Sequence, residues 1–290
     1  MSAEGPWTIL KVIEWSTGFL RDKGIESPKT EVEILLAHAL EVRRIELYVQ
    51  FERVLDNKEL ARFKELLLRR AKREPTAYIL GMREFYGIEF DVDRRALIPR
   101  PETEHLVDLV VKSLKGVAEP MVCDLCTGCG NVAISVAKTV ESARVVATDI
   151  SSDALALAKQ NVKKHELAKR ILLTSGDLFD AVEERFKGRF DVVASNPPYV
   201  EEPYRERLEP EVAEHEPANA LFAGAEGLNV IKRLVADAEV WLKRGGKVVF
   251  EIGRGQSEPV GELLKRAGYE DVEFERDYAG IDRVASARKR

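Results

Sequence analysis

The stretch Val193-Ala194-Ser195-Asn196-Pro197-Pro198-Tyr199-Val200 sets an amide side chain, two prolines and an aromatic ring at the end of an apolar run that begins at Phe190. That run, Phe190 to Ala194, reads as a buried strand of a parallel sheet. Proline fixes its own φ and restricts the residue before it, so Asn196 leaves the strand in a stiff, extended turn. Open α/β sheets bind ligands at the carboxyl ends of their strands. The group suits a planar NH2: Asn196 Oδ1 and the Pro197 carbonyl accept its two hydrogens, Pro198 holds the backbone and Tyr199 covers one face of the plane. An isolated Asn-Pro would be no more than a turn with a capping Asn.

The full Asn-Pro-Pro-Tyr after a strand resembles the motif of methyltransferases that modify planar nitrogens, whether amino groups of adenine or cytosine or the side-chain amide of glutamine. A second loop supplies the place for a methyl donor. Asp124-Leu125-Cys126-Thr127-Gly128-Cys129-Gly130 joins an earlier apolar strand to its helix. Glycines there let the backbone turn tightly and approach a ligand, and the helix start offers free N–H groups. Asp149 ends the next strand, where a carboxylate can accept both hydroxyls of a ribose, as in dinucleotide folds. A nicotinamide-dependent dehydrogenase shares that much. The aspartate at the head of the loop, the missing third glycine of Gly-x-Gly-x-x-Gly and the position of Asn196 after the fourth strand favour S-adenosylmethionine instead. Cys126, Thr127, Gly128, Cys129, Gly130, Asp149 and Asn196 are therefore expected against the cofactor. Asp177 and Leu178, in the turn after the third strand, belong at its adenine end, with a helix cap as the plain alternative for Asp177.

Arg100 stands between Pro99 and Pro101, ahead of Glu102-Thr103-Glu104. The prolines hold it extended, which points to a role at the cofactor. Glu102 and Glu104 suit the first turn of a helix through its dipole. Cys123, Cys126 and Cys129 share a metal-like spacing, but no fourth ligand accompanies them and the four histidines are scattered. Small residues filling strand and turn positions are the expected reading, with no metal.

The chain has 290 residues, 45% of them apolar and 33% charged, with a formal net charge of -5. That length accommodates two domains with cores of their own. The acidic balance argues against a protein that lives on nucleic acid, because phosphate contacts supply most non-specific affinity there. No run of about 18 apolar residues suggests a membrane span. Met1 to Gly18 lacks a basic start and is interrupted by Glu4 and Glu14, so no leader is expected and the cytoplasm is the default location. Three clustered cysteines form no disulfide framework.

The elements that must hold these residues fall into three parts. Residues 1–75 read as a small helical substrate-binding domain. Ser27-Pro28 is a cap and first-turn pair before Val32, Leu35, Leu36, Ala39 and Leu40. Asp56 and Glu59 form a capping box before Leu60, Phe63, Leu66 and Leu67. Residues 76–101 read as a hairpin connector, rich in aromatic and β-branched residues with Gly81 and Gly87 as breakers. Residues 102–290 alternate strands and helices, which gives a mostly parallel sheet with right-handed crossovers and an antiparallel edge from the last hairpin.

Assembled, these residues make the chain similar to the release-factor glutamine methyltransferases, the protein-(glutamine-N5) methyltransferase family. The resemblance extends over nearly the whole length. It is carried by Leu97–Glu104, Asp124–Gly130, Asp149, Asn196–Tyr199, Ala223–Leu228 and Asp277–Arg283. It implies a class I S-adenosylmethionine-dependent methyltransferase fold, Rossmann-like, with a helical N-terminal domain. It also implies methylation of the glutamine in the Gly-Gly-Gln tip of class I peptide chain release factors, in translation termination. An adenine-N6 nucleic-acid methyltransferase would share Asn196–Tyr199, but should bring a basic groove or target-recognition segment, which is not seen. Cys126 departs from the family by standing where glycine is usual. A left-handed φ there would cost about 1–2 kcal/mol, so a backbone that tolerates a side chain is expected.

Overall fold

A computed structural model describes residues 5–290. Glu4, one of the two acids interrupting the first apolar stretch, lies outside them. The chain divides into two compact units, one running to Gly81 and including residues 209–215, the other comprising residues 82–208 and 216–290.

The first unit is helical: α1 (Ile9–Asp22), α2 (Pro28–Leu40), α3 (Arg44–Val49), α4 (Asn57–Ala71) and α5 (Thr76–Leu80). Val32, Leu35, Leu36 and Ala39 of α2 are buried, as residues three and four apart on one helix face should be, and they join Leu20, Leu47 and Phe63 in one core. Asp56 Oδ1 accepts from the backbone N–H of Lys58 and Glu59, and Glu59 returns a carboxylate to the Asp56 N–H at 3.0 Å. That capping box contributes about 1 kcal/mol to the start of α4. Ser27 does not cap α2: its φ is +48° and its side chain makes no cap bond, while Pro28 opens the helix as expected. The helical unit also extends past the expected boundary at 75. Ile79 is buried in its core, and Arg69 donates to the Tyr78 and Ile79 carbonyls. Within the same unit, Arg70 and Arg73 each place a guanidinium nitrogen 3.0 Å from Glu211.

The second unit begins with a two-stranded hairpin, β1 (Met82–Phe85) and β2 (Ile88–Asp91). Then follow α6 (Thr103–Ser113), β3 (Met121–Leu125), α7 (Asn131–Thr139), β4 (Arg144–Asp149), α8 (Ser152–Lys164), β5 (Ile171–Ser175) and β6 (Phe190–Ser195). After α9 (Pro210–His215), which belongs to the helical unit, come α10 (Asn229–Trp241), β7 (Leu242–Glu251), α11 (Ser257–Arg266), β8 (Glu270–Arg276) and β9 (Asp282–Arg288). The seven-stranded sheet has the order β5-β4-β3-β6-β7-β9-β8. It is parallel from β5 through β7, and β9 runs antiparallel to both of its neighbours. Val192, Val193, Ala194, Val248, Val249 and Phe250 are completely buried, which is why these strands read as continuous apolar runs.

The order places a switch point between β3 and β6. The chain leaves β3 toward β4 on one side, and leaves β6 toward β7 on the other. A crevice must open at the carboxyl ends of these two strands, between the loops that follow them.

Candidate active site

Leu125 and Ser195 are register partners at the ends of β3 and β6, and Ser195 Oγ donates to the Leu125 carbonyl at 2.8 Å. The two loops of chemical interest therefore leave the sheet side by side. A cavity of about 300 Å3 opens between them. Cys126, Thr127 and Gly128 line it from the first loop, Asp149 from the end of β4, and Asp177 and Leu178 from the turn after β5. Asn196 and Pro198 line it from the second loop, and Arg100 lines it as well. Pro197 and Tyr199 are not part of its wall.

Cys129 and Gly130, expected against the cofactor, do not line the cavity. Cys129 is 1% exposed and packs with Ala96, Ala154 and Leu157. Gly130 starts α7 at φ +87°, where a Cβ would meet Ile134 Cδ1 at 3.3 Å and Ala158 Cβ at 3.5 Å. Its lack of a side chain lets α7 approach α8. Cys126 lines the cavity, but its backbone differs from the expectation. Its φ is +59°, in the left-handed region, so the loop takes the conformation that favours glycine and bears the Cβ all the same.

The loop is tied down by backbone donors. Thr127 N–H donates to the Thr148 carbonyl at 2.9 Å, and Gly128 N–H to Asp149 Oδ2 at 2.8 Å. Ser151 N–H donates to Asp149 Oδ1 at 2.9 Å. Burial raises the Asp149 carboxyl above its ordinary range, against these backbone bonds. Beneath the loop, Asp124 Oδ2 accepts from Thr127 Oγ1 at 2.6 Å and from the Ala133 N–H at 3.2 Å. Asp124 Oδ1 is buried without a partner, and burial pushes this carboxyl up to about 7.

These residues fit S-adenosylmethionine. A carboxylate offers about four acceptor positions, and the two N–H bonds leave Asp149 room for ribose hydroxyls. A Cβ on Gly128 would meet nothing within 4 Å, so the loop has an open face toward the cavity. Asp177 does not cap the turn that follows it; its carboxylate pairs with Arg233 at 2.8 Å. Arg100 is committed to a protein partner, its Nη2 lying 2.6 Å from Glu216 Oε1. Glu216 also accepts from the Ile98 N–H at 3.3 Å, which anchors the segment leading to Pro217, Asn219 and Phe222 on the cavity wall.

The second loop is held by side chains. Asn196 Nδ2 donates to Thr103 Oγ1 at 3.1 Å, and Thr103 Oγ1 donates to Glu251 Oε2 at 2.7 Å. Tyr199 OH donates to Glu251 Oε1 at 2.8 Å. Glu251, at the end of β7, is 1% exposed. Burial raises its carboxyl, opposed by the Thr103 and Tyr199 hydroxyls and the charge of Arg283. Burial, together with the Glu251 charge, holds the Tyr199 phenol well above its ordinary value.

Sequence reasoning missed Glu251, Glu216 and Asn161. Asn161 bonds both ways with the Asp91 backbone and donates to the Cys129 carbonyl at 2.9 Å, tying the hairpin to the cofactor loop. The available signal for Glu251 was an acid in an otherwise apolar run, Val248-Val249-Phe250-Glu251-Ile252, since a charge in a central strand must be paired. Among the described residues no group of three or more His, Cys, Asp or Glu is arranged to hold a metal, and no helix is long and apolar enough to cross a membrane.

Residues 11–81 match the PrmC N-terminal domain family and residues 103–214 the methyltransferase small domain family. The release factor glutamine methyltransferase of Rhodopirellula baltica is 40% identical over 295 residues, covering 99% of this chain and 98% of its own. That of Geobacter sulfurreducens is 41% identical over 282 residues, covering 97% of each. Among solved structures, the hMettl16 catalytic domain in complex with MAT2A 3'UTR hairpin 6 has a TM-score of 0.57 at 18% identity, covering 81% of this chain and 84% of its own. A methyltransferase from Pyrococcus furiosus has a TM-score of 0.50 at 19% identity, covering 70% and 89%. At these identities the structural likeness concerns the fold, a class I methyltransferase domain.

Proposed function

Because this chain belongs to the release factor glutamine methyltransferase family, we propose that it methylates the side-chain amide nitrogen of the glutamine in the Gly-Gly-Gln motif of class I peptide chain release factors, with S-adenosylmethionine as donor. The observation that carries the reading is the state of Asn196. Its Nδ2 is committed to Thr103, whereas its Oδ1 accepts no hydrogen bond among the described residues and the side chain lines the cavity. A free amide oxygen beside a cofactor-sized cavity suits an incoming N–H.

When bound, S-adenosylmethionine supplies an electrophilic methyl group on a cationic sulfur. Asp149 would hold its ribose, and Asp177 and Leu178 its adenine end. The acceptor amide is a poor nucleophile, because its lone pair is delocalised into the carbonyl; in peptides that resonance gives a rotation barrier of about 18–20 kcal/mol. The protein's contribution is position. Asn196 Oδ1 and the Pro197 carbonyl accept the two amide hydrogens and aim the nitrogen at the methyl, and such alignment supplies about 7–11 kcal/mol. Both acceptors are preorganised, Pro197 and Pro198 by their fixed φ and Asn196 by its bond to Thr103. The net charge of -5 supports a protein acceptor over a nucleic acid.

The test is a transfer assay with isotope-labelled S-adenosylmethionine, a release factor, duplex DNA and structured RNA side by side, with the product mapped by mass spectrometry. One methyl on the Gly-Gly-Gln glutamine is expected. Label on adenine, with the release factor unmodified, would replace this reading by the nucleic-acid one.

A further inference from the structure

The buried network behind Asn196 has a polarity, and that polarity has a consequence for the acceptor. The Asn amide has nearly the same shape in its two flipped orientations, so packing alone does not choose between oxygen and NH2 facing the cavity. Hydrogen bonding does. A threonine hydroxyl carries one proton, and an ionised carboxylate only accepts. Thr103 Oγ1 lies 2.7 Å from Glu251 Oε2, so with Glu251 ionised its proton goes to that oxygen. Its oxygen, 3.1 Å from the Asn196 amide, can then only accept. NH2 must therefore face Thr103, and Oδ1 must face the cavity. The flipped amide would set two acceptors against each other with no proton between them. Thr103 is completely buried and Glu251 is 1% exposed, so water does not relieve that mismatch.

We infer that Thr103 and Glu251 are positioning residues for the methyl acceptor, Thr103 relaying the hydrogen-bond polarity of Glu251 to Asn196 so that its oxygen meets the acceptor N–H. The same carboxylate holds the Tyr199 hydroxyl at 2.8 Å, fixing both ends of Asn196–Tyr199 from one buried group. Glu251 has a charged neighbour in Arg283, which is anchored by Asp277 at 2.8 Å. Three separate stretches, residues 99–104, 196–199 and 277–283, thus converge on the end of β7. Thr103 and Glu251 are buried beneath Asn196 and Tyr199, so they are assigned an effect through those residues and no contact with substrate.

The inference rests on the reading that Asn196 receives the acceptor amide, and one set of variants separates the two. Thr103→Val keeps the shape and removes the hydroxyl. It should lower kcat for release-factor methylation about ten- to a hundredfold, as loss of an orienting outer partner does at metal sites, while the KM for the release factor and the Kd for S-adenosylmethionine stay within about twofold of wild type, a split expected of an interaction lost only in the transition state. Thr103→Ser restores the hydroxyl and should recover most of kcat. In 15N-labelled protein, the side-chain NH2 signal of Asn196, identified by its loss in Asn196→Ala, should move in Thr103→Val and return toward its original position in Thr103→Ser. Thr103→Ala repeats the measurement without added bulk if the valine variant melts early. Wild-type kcat in Thr103→Val, or a serine variant as slow as the valine one, would overturn the relay. If instead Asn196→Ala itself methylates at the wild-type rate, the acceptor reading fails, and the relay with it.

Discussion

Two turns leave adjacent strands at the same register and are built on opposite principles. The turn after β3 is a backbone device. Cys126, Gly128 and Gly130 all have positive φ, and the N–H groups of Thr127 and Gly128 are fastened to the end of β4 at Thr148 and Asp149. Thr127 Oγ1 ties it to Asp124 from beneath, and Gly128 and Gly130 leave room toward the cavity and toward α8. The turn after β6 is a side-chain device. Prolines stiffen it, and the two ends of Asn196–Tyr199 are hydrogen-bonded through Thr103 and Glu251 to one buried network. A loop held through backbone geometry accommodates an unusual residue such as Cys126. A loop that orients one amide does not tolerate a change of that amide.

That contrast is sharpest at Asn196. Asn196→Ala should reduce kcat by about two to three orders of magnitude, the usual effect of losing a preorganised polar group at a reacting centre. The Kd for S-adenosylmethionine, measured by calorimetry, should change far less; a parallel collapse of cofactor binding would erase the division between the turns. Asp149→Ala probes the other side. Hydrogen bonds to a charged acceptor contribute about 1.5–3 kcal/mol, so cofactor Kd should rise roughly tenfold or more. Unchanged affinity would remove Asp149 from the cofactor site.

The remaining two variants test the backbone turn through stability. Gly130→Ala adds a Cβ at φ +87° against Ile134 and Ala158. It should lose about 1–2 kcal/mol, read as a melting midpoint lower by roughly 2–8 °C; an unchanged midpoint would mean that α7 and α8 can part freely. Cys126→Gly should have the smallest effect. It relieves about 1–2 kcal/mol of left-handed strain but restores about 0.4–1 kcal/mol of unfolded-chain entropy. The midpoint should rise by no more than a few degrees, about 2–4 °C per kcal/mol. A fall would show that the thiol makes packing contacts worth more than the strain.

The sequence made some of this visible and hid the rest for identifiable reasons. Buried parallel strands such as Phe190–Ser195 announce themselves because both faces are covered and the run Val192-Val193-Ala194 is continuously apolar. The start of β7 does not. Leu242 pairs with Phe190, the ladder breaks, and pairing resumes at Lys247 opposite Val192, so Lys243 to Gly246 disguise the strand as a loop. Asp56 and Glu59 foretell their capping box because its partners are three residues apart, whereas Ser27 carries the residue type of a cap without its backbone conformation. Asn196 stands out through its prolines. Thr103 and Glu251, 148 residues apart, meet only through the packing of α6 near the end of β7, and local spacing carries no sign of that. The same holds for Arg100, whose rigid setting is legible but whose partner Glu216 is 116 positions away.

The most direct test of the acceptor assignment changes the substrate and leaves the enzyme alone. A release factor whose Gly-Gly-Gln glutamine is replaced by glutamate keeps its docking surface and lacks the NH2 that Asn196 Oδ1 and the Pro197 carbonyl are assigned to receive. Methyl transfer to that position, followed by mass spectrometry with labelled S-adenosylmethionine, should disappear while the binding affinity of the release factor is retained. Methylation of the glutamate variant at the wild-type rate would place the acceptor elsewhere and contradict the assignment of Asn196.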